Sequence, residues 1–245
     1  MRPILTTSLV FALCTSIVHA DLRYTTRVDV RRTASAAAEP VPGELAAALN
    51  TLMPPGETRI FVRADAMRLE QAVGARPTVV LIRPDGQFVL YPDLQRYVRM
   101  PLPGSPVLPD RTRAPSVRRS GEFATILGLR AERIFVSMAL ALPITPPAGF
   151  PTTMTLEGEL WLSDAYGAEA VGLRTLMGPV PIAPDGLEGM VLRQVLRNAQ
   201  LGYEIETQVT ELVEGPVSAE LFEIPAGYRP VEKPVMPDPP RGGRR

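Results

Sequence analysis

Apolar and polar residues alternate along positions 22–31. Leu22, Tyr24, Thr26, Val28 and Val30 fall on one side, and Arg23, Thr25, Arg27, Asp29 and Arg31 on the other. A period of two over this length predicts a half-buried strand. Shorter runs of the same kind follow at 58–63, 67–71, 78–82, 87–91 and 96–100. Turn-forming groups separate them at intervals of about 8–12 residues, the spacing of an antiparallel meander. Pro84-Asp85-Gly86 is the clearest of these turns, because proline presets φ and glycine accepts positive φ. Strands resume at 123–127, 133–142 and 154–163. In the last, Met154, Leu156, Leu160 and Leu162 share one face, and Glu157, Glu159 and Trp161 the other.

Helical spacing appears at 169–177 and at 187–200. In the second stretch Leu187, Met190, Val191 and Val195 form a stripe, and Gly202 sits where a C-terminal cap belongs. Two long strands, 203–213 and 217–224, close the pattern. The expected fold is therefore mainly β, within the α+β class. It is a single, strongly curved antiparallel sheet of about nine to eleven strands, an incomplete barrel with two short helical segments as a lid.

Two stretches interrupt the meander. Residues 34–55 are rich in alanine with prolines at the edges and read as an insertion, with a short helix at 44–53. Residues 101–119 form a Pro/Arg-rich loop carrying Arg111, Arg113, Arg118 and Arg119, either a solvated loop or an anion contact. The tail 232–245, with Pro234, Pro237, Pro239, Pro240 and three arginines, has nothing to bury and is expected to be disordered.

The first twenty residues are of a different kind. Arg2 supplies a positive start, 4–18 is mostly apolar, and Val18-His19-Ala20 presents small residues at the positions a signal peptidase reads. Cleavage between Ala20 and Asp21 leaves a mature domain at 21–231, exported to the periplasm or secreted. Cys14 is not placed as a lipid-attachment cysteine, because bulky Leu13 precedes it and the apolar run continues to Val18. No later segment holds the roughly twenty apolar residues of a membrane-spanning helix.

That cleavage alters the available chemistry. Cys14 and His19 are the only cysteine and histidine of the 245-residue chain, so the mature protein has neither thiol nor imidazole. Cysteine nucleophiles, disulfides, histidine triads and nearly all zinc or copper sites are excluded, and no metal or cofactor is expected. Lysine and arginine total 26, aspartate and glutamate 26. This balance gives no electrostatic case for a nucleic acid partner. Lys233 is the only lysine and lies at the edge of the tail, where nothing desolvates it for catalysis. No phosphate-binding glycine loop and no GxSxG elbow occurs. Asp85-Gly86 and Asp185-Gly186 are isolated and read as turns rather than calcium loops. Glu157 and Glu159 lie two apart on one strand face, about 7 Å from each other. Catalytic carboxylate pairs instead face each other across a sugar, so this pair reads as a solvated face.

Methionines at 53, 67, 100, 138, 154, 177 and 190 are spread through the folded region. Flexible thioethers suit adaptable apolar surfaces as well as ordinary cores. A curved sheet also needs something over its apolar concave side: helices, loops or an apolar ligand. The candidate lining is Met67, Leu69, Phe88, Leu90, Met154, Leu156 and Leu160.

Four stretches carry a resemblance. They are 61–70 (Phe-Val-Arg-Ala-Asp-Ala-Met-Arg-Leu-Glu), 84–97 (Pro-Asp-Gly-Gln-Phe-Val-Leu-Tyr-Pro-Asp-Leu-Gln-Arg-Tyr), 158–164 (Gly-Glu-Leu-Trp-Leu-Ser-Asp) and 222–228 (Phe-Glu-Ile-Pro-Ala-Gly-Tyr). In their order the chain resembles the periplasmic lipoprotein-carrier (LolA/LolB-like) superfamily and the related uncharacterised family DUF4412. In those chains the 158–164 stretch resembles a strand with an acidic-hydrophobic-Trp core, and 222–228 the closing strand with its turn. The resemblance implies an unclosed barrel with a helical lid, binding acyl chains in its hollow, and offers no catalytic residue. Segments 34–55 and 101–119 depart from it.

Three functions remain. The leading one is a non-enzymatic envelope protein binding a lipid or lipoprotein acyl chain in the hollow of the sheet. The alternative is a periplasmic protein-interaction or sensor module with a sealed core and an envelope protein as partner. A hydrolase using carboxylates alone is the third.

Overall fold

The computed structural model describes residues 21–33, 55–63, 65–73, 76–100, 116–141, 153–166, 187, 189–199 and 202–233. The signal segment 1–20, nearly all of the 34–55 insertion, residues 101–115, the helix expected at 169–177 and the tail beyond 233 lie outside this set.

Two meanders join into one sheet. The first runs through β1 (Leu22–Arg32), β2 (Gly56–Val62), β3 (Met67–Val73), β4 (Arg76–Arg83), β5 (Gly86–Tyr91) and β6 (Arg96–Met100). The second runs through β7 (Ser116–Ile126), β8 (Leu129–Ala141), β9 (Thr153–Ser163), β10 (Met190–Asn198) and β11 (Tyr203–Glu214). β1 pairs antiparallel with β11 and fuses the two. The order is β12-β6-β5-β4-β3-β2-β1-β11-β10-β9-β8-β7, where β12 is the two-residue strand Arg229–Pro230. β7 and β12 end the order without meeting, so the sheet is curved and open rather than a closed barrel. All neighbours are antiparallel except β12, which lies parallel to β6.

Short connections set this topology. Pro84-Asp85 links Arg83 to its partner Gly86, as the turn residues predict. Leu127-Gly128 links Ile126 to Leu129 with φ of 51° and 80° at its two residues. Positive φ at both centres is the turn whose twist matches a hairpin.

Three expectations are corrected. Residues 190–198 of the expected helix 187–200 form β10, in the sheet interior between β9 and β11. The apolar positions there satisfy two periods at once. Met190, Leu192, Leu196 and Val195 are all buried, and hydrogen-bonding neighbours on both sides decide for the strand. Gly202 (φ 64°) belongs to the link into β11 rather than to a helix cap. The closing strand expected at 217–224 is instead an irregular strap with a 3-10 turn at Ala219–Phe222. Pro216 and Pro225 bracket it, and a proline nitrogen donates nothing to a ladder. Finally, the end of the 101–119 loop is strand, since β7 begins at Ser116. With these changes the described residues hold twelve strands, one more than the upper expectation.

Candidate functional site

Cross-strand partners in a sheet point to the same side, so the pairings divide the side chains into two faces. One row runs Val98–Val89–Val80–Leu69–Ile60–Tyr24–Leu212 through six strands and into a seventh. A second runs Val30–Ile205–Leu196–Gly158–Val136–Val117, from β1 to the far edge. These two rows of the inner face are apolar, while the rows beside them carry Thr26, Thr58, Gln71 and Thr78, Gln194 and Thr207, and the Arg119–Glu132 ion pair. Leu22, Tyr24, Ile60, Met67, Leu69, Leu192 and Val209 belong to one continuous buried cluster. Ile134, Val136, Leu160, Leu162, Leu187 and Leu196 form another.

The opposite face is an arginine–glutamate lattice. Arg197 bonds Glu204 at 2.7 Å, and Arg193 bonds Glu206 at 2.9 Å, with Arg31 3.4 Å from the same carboxylate. Arg133 bonds Glu159 and Glu122, both at 2.9 Å. Hydrogen bonds with Glu122 and then Glu159 hold the Arg133 guanidinium above its ordinary pKa. Arg197 stands directly opposite Glu204, while Arg193, Arg31 and Arg133 reach their glutamates diagonally, and such cross-strand pairs support the pairing register. Water covers this face from β8 to β1, and there the sheet is amphipathic.

The seven candidate lining residues divide between the faces. Met67 and Leu69 lie on the inner face of β3, Leu156 and Leu160 on the inner face of β9. Leu160 is fully buried and packs with Ile134 and Leu196. Met154 stands in β9, with its side chain outside the described set. Phe88 and Leu90 pair with Leu81 and Val79, on the outer face. They form a separate cluster with Val79 and Leu81, against which Tyr97, Ile224 and Tyr228 pack.

The strap covers that outer cluster. Arg68 Nη1 donates to the Leu221 carbonyl at 2.8 Å, and Arg83 Nη1 to that of Phe222 at 3.3 Å. The Arg63 guanidinium lies 5.7 Å from the centre of the Phe222 ring, which is buried. Asp21 anchors the strap's beginning, accepting from Val217 N–H at 2.9 Å through Oδ2 and from Gly215 N–H at 3.0 Å through its carbonyl. Sequence reasoning missed this layer although a signal existed. Thr78-Val-Val-Leu-Ile82 is apolar without alternation, the mark of a strand buried on both faces.

Titration is perturbed mainly by burial. Burial pushes the Tyr24 phenol upward, and burial with a hydrogen bond to Glu214 pushes Tyr166 up to about 12. Among the described residues, no three acidic, histidine or cysteine side chains stand together as a metal site, and no helix is long and apolar enough to cross a membrane.

No protein-family model matches the chain, and no curated protein matches it. Among solved structures it aligns with an uncharacterized conserved protein from Thermus thermophilus, at 11% identity and a TM-score of 0.43, over 87% of this chain and 90% of that one. The Mycobacterium tuberculosis lipoprotein LppX aligns at 12% identity and 0.37, over 80% and 88%. A Vibrio parahaemolyticus domain described as an outer membrane lipoprotein-sorting protein aligns at 10% and 0.29, over 82% and 88%. At such identities and scores these likenesses carry no argument about what this chain binds, and the resemblance to DUF4412 gains nothing from them.

Proposed function

We propose that this is an exported, non-enzymatic envelope protein that holds an apolar ligand, a lipid or lipoprotein acyl chain, against the inner face of its open sheet. The observation that carries the reading is the two-sidedness of the sheet. From β8 to β1 the outside is a lattice of ion pairs. Inside, apolar rows cross from β6 to β7. Most of these rows are buried within the chain, but Val30, Val80, Val89 and Leu212 are only half-buried, and an acyl chain lying along them would complete their cover. Met67, Leu69 and Leu156 are the lining residues of this reading, and Leu160 lies behind them on the same face. Phe88 and Leu90 are outside it, because the strap already covers them. Export rests on the 1–20 segment, with cleavage before Asp21, the residue that ties β1 to the strap.

The second reading, an interaction or sensor module with a sealed core, is favoured by one observation. Leu160 and Leu192 are fully buried and leave a ligand no surface at those two positions. Organic extraction of the purified mature protein, followed by lipid mass spectrometry, separates the two. Co-purifying acyl lipid near one per chain supports the carrier. A lipid-free extract from protein purified without detergent supports the sealed module.

A further inference from the structure

We propose that the outer face carries a second binding site, a groove at the β7 end of the sheet for a small zwitterion with a primary ammonium and an anionic group. The groove has a volume of about 550 Å³ and spans β7, β8, β9 and β10. That size lies within the range of small-molecule sites. Two adjacent cross-strand rows form it, Arg118–Phe135–Glu159 and Ser116–Ser137–Glu157–Arg197. All of these alternate away from the apolar inner rows, so the site is separate from the proposed acyl-binding face.

Four charges line the groove, and two of them are already satisfied. Glu159 is held by Arg133 at 2.9 Å, and Arg197 by Glu204 at 2.7 Å. Arg118 and Glu157 remain without a carboxylate or guanidinium partner among the described residues. They have opposite signs, so neither a simple anion nor a simple cation satisfies the site. Glu157 stands two strands across and two residues along from the position paired with Arg118. Arg118 is exposed, and its guanidinium stacks on an aromatic ring. It lies 4.4 Å from the centre of the Phe135 ring, and Arg133 approaches the same ring at 4.8 Å. Stacking on an aromatic leaves the planar N–H fork of an arginine available to an oxyanion. A phosphate or carboxylate on Arg118, an ammonium donating to Glu157 and the Ser116 and Ser137 hydroxyls between them complete the recognition.

The chemistry is that of a phosphoethanolamine group, free or as a lipid head. The test titrates the chain 21–245 calorimetrically with O-phosphoethanolamine, with monomeric dihexanoyl-phosphatidylethanolamine and with O-phosphocholine. O-phosphoethanolamine has no acyl chain, so its binding is read independently of the inner face. Both ethanolamine compounds are expected to bind, and phosphocholine, which cannot donate to Glu157, about tenfold or more weaker. Tighter binding of the lipid than of the free head group, with the excess lost in Arg118→Gln, assigns a lipid source, and equal binding a free zwitterion. Arg118→Gln is expected to weaken both ethanolamine compounds by about tenfold or more, and Glu157→Gln to erase the preference over phosphocholine. Circular dichroism melts check that both surface variants stay folded. Wild type that binds neither compound, or variants that bind as wild type does, overturns the site.

Discussion

Gly158→Ala measures how tightly β9 and β10 are held together. A Cβ added at Gly158 would lie 2.1 Å from the Val195 carbonyl oxygen, 2.9 Å from Leu196 Cδ2 and 3.0 Å from Leu196 Cα. Two of these three atoms are backbone, so no rotamer change relieves the clash. The strands must separate locally, where Gly158 faces Leu196. Overpacking of this kind costs about 1–3 kcal/mol, and each weakened ladder bond about 0.5–1.5 kcal/mol more. A total of about 2–4 kcal/mol is a large share of a typical domain's stability. It corresponds to a fall in Tm of roughly 5–15 °C at this chain length. The control is Gly128→Ala, where nothing lies within 4 Å and only the positive φ of 80° is strained. That costs about 1–2 kcal/mol. Calorimetric melts of both variants beside wild type give the comparison. A Gly158→Ala melt no lower than that of Gly128→Ala would refute the close approach.

Two other outcomes follow from the strap and the tyrosines. Phe222→Ala removes the strap's buried ring beside the Arg63 guanidinium, two residues before Ile224, which packs on Val79, Leu81, Phe88 and Leu90. Hydrogen exchange should rise across 217–231 while β7 to β11 keep their protection, and uniform loss of protection would show that the strap is not a separate layer. Tyr24 and Tyr166 are both raised, so the folded state favours their neutral phenols. Their contribution is complete below pH 10, the ordinary tyrosine value, and is lost as pH climbs, for Tyr166 through about 12. Urea midpoints should fall steadily above pH 10, less steeply in Tyr166→Phe. A midpoint unchanged into that alkaline range would contradict the shifts.

What was legible in the sequence is what local period and turn chemistry control. The alternation at 22–31 became β1, with Leu22, Tyr24 and Thr26 buried, and Pro84-Asp85-Gly86 became a tight hairpin. Residues 187–200 were misread because Leu187, Met190, Val191 and Val195 fit a helical stripe. Only the flanking ladders of β9 and β11 select a strand. Face assignment failed at β5 for a related reason. Whether Val89 or Phe88 points inward depends on hairpin register counted strand by strand, and a local window cannot see it. The groove charges were visible singly, Arg118 in an expected loop and Glu157 on an expected solvated face. What the sequence lacked was their juxtaposition, which requires β7 to start at Ser116.

The central claim is that the inner face receives an acyl chain. Titrating the mature protein with a fluorescent fatty-acyl probe tests it most directly, with Leu156→Asp as the variant. Leu156 is buried on the inner face of β9, where an unpaired carboxylate meets a large desolvation penalty. Saturable binding of about one probe per wild-type chain, abolished in Leu156→Asp, is the predicted result. Folded wild type that never binds the probe, while Leu156→Asp unfolds, would contradict it and leave the inner face as a sealed core.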